Sequence, residues 1–254
     1  MNLNFDQKLA ENYRSPSQII RVLSEDWVKN NGYCPSCNTP ALSEFANNQP
    51  VADFYCPNCA EQYELKSKKG SLSHIINDGA YDTMMQRINS DDNPSFFFLT
   101  YSKELSVNNF LIIPKHFFKP DMIVKRKPLS ITAKRAGWVG CNIDLRKVPE
   151  SGKVFLVKNQ QIIAKNIVSQ QFQQTLFLRT QTQRARGWTL DIWQCIDRLD
   201  EQFTLQQVYH FVDELQGKHP NNNHIQDKIR QQLQVLRDKG IIEFLARGHY
   251  RKIK

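Results

Sequence analysis

The stretch Cys34–Lys66, CPSCNTPALSEFANNQPVADFYCPNCAEQYELK, decides how the rest of the chain is read. Two C-x2-C pairs, Cys34/Cys37 and Cys56/Cys59, are separated by eighteen residues, and Asp53 and Glu64 bracket the second pair, with Lys66 two residues beyond. One tight turn can set both thiolates of such a pair on a single ion, and two pairs at this spacing predict a tetrahedral, structural zinc site with no open coordination position. The competing readings are two disulfides or unrelated buried thiols. Met1–Ala10 (MNLNFDQKLA) has neither the basic nor the apolar run of a secretory leader, so a reducing, cytoplasmic setting is expected, and there metal is favoured over cystine. Cys141 and Cys195 stand apart in apolar surroundings and are expected in the core.

The segment Glu61–Ser67 (EQYELKS) alternates, which places Glu64 and Lys66 on one face of a strand and Tyr63 and Leu65 on the other. Asp53 lies near the end of a second expected strand, Val51–Tyr55, and a zinc-bearing turn between the two would bring Asp53 opposite Glu64. The pattern Asp-x10-Glu-x-Lys is what metal-assisted phosphodiester hydrolysis needs. Two carboxylates hold Mg²⁺, and a lysine orients the attacking water and offsets charge that develops in the transition state. Taken alone the pattern also describes a solvated strand with a Glu/Lys pair; its position against a zinc clip favours the site.

These residues resemble the PD-(D/E)XK nuclease superfamily. The wording PVADFYCPNC, EQYELKSKKG, INDGAYDTMM and RQQLQVLRDKGIIEF is similar, over essentially the whole chain, to the methyl-directed type II restriction endonucleases. The resemblance implies a Mg²⁺-dependent enzyme, monomeric in solution, that cuts double-stranded DNA at GATC carrying N6-methyladenine. It implies catalytic roles for Asp53, Glu64 and Lys66, Mg²⁺ held by Asp53, Glu64 and the backbone carbonyl of Leu65, and Zn²⁺ on Cys34, Cys37, Cys56 and Cys59. One departure from the general pattern is that Pro50 is separated from Asp53 by Val51 and Ala52.

Composition agrees with this. The 254 residues, 40% hydrophobic, suffice for one large or two modest domains, and a formal charge of +9 suits a polyanionic partner. No apolar run approaches the roughly 20 residues that cross a bilayer, so no membrane partner is expected. The expected fold class is α/β (α+β): a catalytic domain over residues 1–182 with the four-cysteine zinc site embedded in it, followed by a winged-helix domain over residues 183–254. Helices are expected at Asp6–Tyr13 and Ser17–Asn30, the second entered through Ser15 as cap and Pro16 in its first turn. Lys68 and Lys69 either grip phosphates or decorate a solvated turn, and a helix is expected over Ile76–Ile88. Asn77 and Asp78 near its start either support the metal site or cap the helix. Pro94–Tyr101 and Asn109–Ile113 read as neighbouring core strands.

From Lys115 to Arg135 the chain is strongly basic and reads as a loop lying along a phosphate backbone, with Lys125, Arg126, Lys127, Lys134 and Arg135 the contacts. Trp138, between Gly137 and Gly140, either offers its indole to the adenine methyl or is simply buried. Val154–Val157 reads as a late strand, Ser169–Leu178 as a helix and Arg179–Arg186 as a linker.

The last part has a different grammar. Helices at Trp188–Leu199 and after Thr204, a third opened by Asn221–Asn223, and a hairpin of Ile241–Leu245 with His249–Ile253 make a winged helix. Asn222, Asn223, His224, Lys228 and Arg230 at the third helix are candidates for reading bases, and Arg247, His249 and Arg251 on the wing for contacting phosphate. Such a domain can instead serve assembly, and a non-enzymatic DNA-binding regulator is the rival to the nuclease.

Overall fold

A computed structural model describes residues 1–45, 52–90 and 93–253. They form two compact units, Met1–Arg146 with Ser151–Gln173, and Lys147–Glu150 with Gln174–Lys254. The mixed α/β class and the C-terminal winged helix-turn-helix expected from the sequence are both present.

In the first unit the strands are β1 (Ser43–Glu44), β2 (Phe54–Tyr55), β3 (Gln62–Lys69), β4 (Ile75–Ala80), β5 (Ser95–Tyr101), β6 (Val107–Ile113), β7 (Ile123–Lys125), β8 (Gly140–Asp144), β9 (Val154–Lys158) and β10 (Gln161–Ile162). The helices are α1 (Pro16–Asn31), α2 (Tyr81–Asn89) and α3 (Lys165–Gln174). One sheet has the order β1-β2-β3-β5-β6-β9-β10, with β3 and β5 parallel; a smaller sheet has the order β4-β8-β7. The parallel pair needs a crossover, and β4 with α2 supplies it.

The core of the large sheet is β5, SFFFLTY, buried at every position, flanked by Phe110, Leu111, Ile112 and Ile113 of β6. Each of these large apolar side chains contributes roughly 1.5–3 kcal/mol on burial. Aromatic contacts lock the layer: Tyr63 stacks on Phe97 at 4.6 Å, and Trp27 of α1 meets Phe110 edge-on at 5.2 Å. The α1 helix starts at Pro16 as expected, but Ser15 makes no side-chain cap bond, its backbone carbonyl accepting from Ile19 N instead.

Several expectations are corrected. The first helix is only a 3-10 turn, Gln7–Ala10, capped by Asp6. The helix expected over Ile76–Ile88 is strand β4 followed by α2. Residues 75–78 pair with β8, and tertiary pairing overrides the apolar spacing that suggested a helix. The expected strand Val51–Tyr55 is described only at Phe54–Tyr55, with Pro50 and Val51 outside the described residues. The basic stretch is not one loop: His116, Phe117 and Phe118 are buried, and Ile123–Lys125 is an edge strand, so the loop begins only at Arg126.

In the second unit, α4 (Gln183–Asp197), α5 (Leu205–Tyr209), α6 (Val212–Lys218) and α7 (Ile225–Asp238) pack with a small sheet of β11 (Gln202–Thr204), β12 (Ile242–Ala246) and β13 (His249–Lys252), ordered β11-β13-β12. The α7 helix buries Ile225, Ile229, Leu233 and Leu236 and leaves Asp227, Arg230, Gln231 and Gln234 outward, as its pattern predicts. Thr204 and Gln207 form a reciprocal capping box, and Gly240, at φ +68, lets the chain turn out of α7. The expected linker Arg179–Arg186 is instead a 3-10 turn, Leu176–Thr180, and the start of α4, capped by Thr182, with Arg186 buried. The helix expected over Ser169–Leu178 begins earlier, at Lys165, and ends at Gln174.

Candidate active site

Two knuckles set the four cysteines. In each, a backbone N–H four residues on closes back to the first cysteine's carbonyl: Asn38 N to Cys34 O at 2.8 Å, Ala60 N to Cys56 O at 2.9 Å. The residue after each second cysteine sits in the left-handed region, Asn38 at φ 62° and Ala60 at φ 57°. The four sulfurs lie within 4.8 Å of one another, with Cys34–Cys59 and Cys37–Cys56 each at 3.5 Å, and all four thiols are free. A disulfide needs about 2.05 Å between sulfurs, whereas a tetrahedron of thiolates at a Zn–S distance of about 2.3 Å has edges of about 3.8 Å. The donor set therefore fits one tetrahedral thiophilic ion and can hold zinc.

Thiolates are needed for that, and the surroundings differ between the four. Burial pushes the Cys34 thiol up, with Tyr63 Oη at 2.9 Å from its sulfur working the other way. Burial also acts against the Cys37 thiolate, but hydrogen bonds from Thr39 and Asn58 outweigh it and bring that thiol down to about 6.

The clip is fused to the strand that bears the acidic residues. Cys56 follows β2 and Tyr63 lies in β3; the two strands pair antiparallel through Phe54↔Tyr63 and Tyr55↔Gln62. Continuing that register brings Asp53 against Glu64. Asp53 N donates to Tyr63 O at 3.0 Å, and Asp53 Oδ2 accepts from Leu65 N at 2.7 Å. Asp53, Glu64, Leu65, Lys66 and Lys68 line one cavity of about 560 Å³, closed on another side by α1 through Arg21 and Glu25.

Within it Lys66 Nζ stands 2.5 Å from Glu64 Oε1 and 2.6 Å from Asp78 Oδ1. Burial opposes the charge of Lys66, but Glu64 and Asp78 outweigh it and hold the ammonium above its ordinary range. Burial pushes the Glu64 carboxyl up, against the pull of Lys66. Asp78 does not cap a helix, since it pairs with Cys141 across the small sheet and reaches Lys66 from there. Three residues at or beside this cavity escape a sequence reading. Arg87 of α2 stands 4.0 Å from Glu64 Oε2, and Arg21 and Glu25 form an i,i+4 pair at 2.7 Å. Only the helical spacing of that pair on α1 hints at it.

Lys68 and Lys69 are exposed on the last residues of β3, not in a turn. Lys125, Arg126, Lys127, Lys134 and Arg135 are exposed around the loop after β7. Trp138 is half-buried, with the Arg135 guanidinium 4.5 Å from its ring centroid. A Cβ on Gly140 would lie 2.7 Å from the indole, so this glycine makes room for Trp138, and Gly137, at φ +77, makes the turn before it. The glycines thus serve the loop's own packing.

In the second unit Asn222 is tied to the backbone, its Oδ1 accepting from His224 N at 2.8 Å, while Asn223 and His224 are exposed. Lys228 donates to Gln231 at 2.6 Å beside a shallow cavity of about 340 Å³ at the start of α7. Arg230 pairs with Asp227 and with Tyr209 Oη, Arg251 pairs with Glu243, and Arg247 and His249 are exposed on the wing.

The fold and the cysteine cluster define a class: a mixed α/β unit with a metal clip in its sheet edge, followed by a winged helix-turn-helix. The chain belongs to the DpnI, or Dam-replacing, family, which residues 1–181 match, and residues 184–252 match the Dam-replacing HTH domain. Membership makes it a restriction-type nuclease with a DNA-binding helix-turn-helix domain.

Proposed function

We propose that the chain is a Mg²⁺-dependent type II restriction endonuclease that hydrolyses double-stranded DNA at GATC sites carrying N6-methyladenine. In this reading residues 1–182 catalyse and residues 183–254 read the duplex, in a cytoplasmic monomer. The observation that carries it is the shared cavity lined by Asp53, Glu64 and Lys66 in a member of this family.

Asp53, Glu64 and the Leu65 carbonyl are the donors offered to Mg²⁺, and oxygen donors of this kind suit that ion. When bound, Mg²⁺ supplies positive charge that polarises the scissile phosphate. The chain's own groups do the rest. Leu65 N–H fixes the Asp53 carboxylate. Asp78 and Glu64 aim Lys66, whose ammonium orients the attacking water and stabilises charge that grows on the phosphate. Lys68, Lys69 and the cations from Lys125 to Arg135 take the flanking phosphates, while Asn223, His224, Lys228 and Arg230 of the helix-turn-helix and Arg247 of the wing engage a second stretch of duplex.

A methyl group in an apolar pocket is worth only about 1–3 kcal/mol, so strong selectivity requires that it be sensed more than once. Trp138 is the reader in the catalytic unit. The test compares wild type and Trp138→Ala on short duplexes with and without the methyl group, for binding in EDTA and cleavage in Mg²⁺. Wild type should cut the methylated duplex in Mg²⁺ only, and the variant should lose roughly ten- to hundredfold of its methyl preference. An unchanged preference in a folded variant removes Trp138 as a reader. Binding without any cleavage by the wild type moves the chain to the class of DNA-binding regulators.

A further inference from the structure

The loop from Lys125 to Gly140 carries a feature that charge alone does not explain. Its tip is Ile131, 94% exposed, whereas the next most exposed large apolar residue among those described, Phe244, reaches 51%. Isolated apolar residues at a surface are ordinary, but this one is held in place. Ala133 N donates to Ser130 O at 3.0 Å, which makes Ile131 the second residue of a tight turn, and the hydroxyls of Ser130 and Thr132 meet at 3.0 Å behind it. The neck of the loop is closed by Leu129 N to Trp138 O at 2.9 Å and Gly137 N to Leu129 O at 3.1 Å. The turn itself does not require a β-branched apolar side chain at that position, where most residues serve equally well.

The surroundings say what the tip meets. No acidic residue occurs between Asp121 and Asp144, while Lys125, Arg126, Lys127, Lys134 and Arg135 are all exposed there. The root of the loop is also tied to the candidate active site. Lys125 pairs with Cys141, Cys141 pairs with Asp78, and Asp78 holds Lys66. Two strand spacings are about 10 Å, and six residues reach at most about 20 Å. Ile131 therefore lies within about 30 Å of Asp78, on the order of one helical turn of a duplex, roughly 34 Å.

We infer that Ile131 is a wedge that inserts between base pairs of the bound duplex, with the surrounding cations on the flanking phosphates. Apolar side chains presented in a basic frame unstack base steps in this way. This inference rests on the proposed DNA-cutting function.

The test uses the full chain in EDTA, with methylated GATC duplexes in which 2-aminopurine is stepped through the flanks and the target bases other than the methylated adenines. Wild type should raise the fluorescence at one step, and Ile131→Leu should keep that rise. Ile131→Ser should return it to the level of free duplex, with binding weakened about tenfold; at so exposed a site none of these changes threatens the fold. A rise that survives Ile131→Ser, or no rise at any step with bound wild type, overturns the wedge and leaves the nuclease reading standing. A wild type that does not bind duplex at all overturns the nuclease reading, and the wedge with it.

Discussion

Replacing Lys66 by alanine lowers the rate of cleavage by on the order of 10²- to 10³-fold, the cost of removing one preorganised charge from a developing oxyanion, and leaves the chain folded. The loss is in rate because Lys66 is the cation that both Glu64 and Asp78 contact, at 2.5 and 2.6 Å. In the proposed mechanism, no ammonium would then orient the water or meet the phosphate. The fold survives because the cavity opens to solvent and the vacated position leaves two carboxylates that can share a proton, a common outcome for like charges at close range. Single-turnover cleavage beside a thermal melt separates the two effects. A variant that melts like wild type and cuts within about threefold of its rate would remove Lys66 from catalysis, since one lost stabilising donor costs far more.

Cys56→Ala is expected to have a different and larger consequence: loss of zinc binding at the four-cysteine cluster, and with it all cleavage. Cys56 lies between Asp53 and Glu64 in the hairpin of β2 and β3, and its backbone is bonded to Glu61 and Ala60. Structural zinc sites contribute roughly 10–16 kcal/mol in small peptides, comparable with the whole 5–15 kcal/mol stability of a typical domain. Losing one thiolate therefore costs more than the turn can absorb, and the register that sets Asp53 against Leu65 N–H goes with it. Metal content by mass spectrometry, together with the cleavage assay, checks this. A variant that is active at full rate and free of zinc contradicts a structural role for the clip.

Much of this is legible in the residues themselves. The C-x2-C spacing announces the clip because tight turns and tetrahedral coordination leave few alternatives, and the alternation of EQYELKS places Glu64 and Lys66 together because strand geometry has a period of two. The winged helix-turn-helix is legible from helical stripes and from Gly240. What stays hidden depends on long-range pairing. INDGA forms β4 because β8 lies beside it, a partner sixty or more residues away, so its local apolar spacing points to a helix instead. Asp78, which the sequence leaves between supporting the site and capping a helix, is the second carboxylate on Lys66 because β4 carries it there. The same holds for the polar run RTQTQRAR, which reads as a linker because nothing local shows that Arg186 is buried within α4. Gly140 reads as a loop glycine because sequence cannot show an indole lying across it.

The measurement that bears most directly on the central claim is digestion of one plasmid, prepared with and without adenine methylation at GATC, in Mg²⁺ and in EDTA. The expected result is cleavage of the methylated plasmid in Mg²⁺ alone, with fragments ending at GATC. Cleavage of both plasmids, cleavage in EDTA, or a methylated plasmid left whole in Mg²⁺ would contradict it.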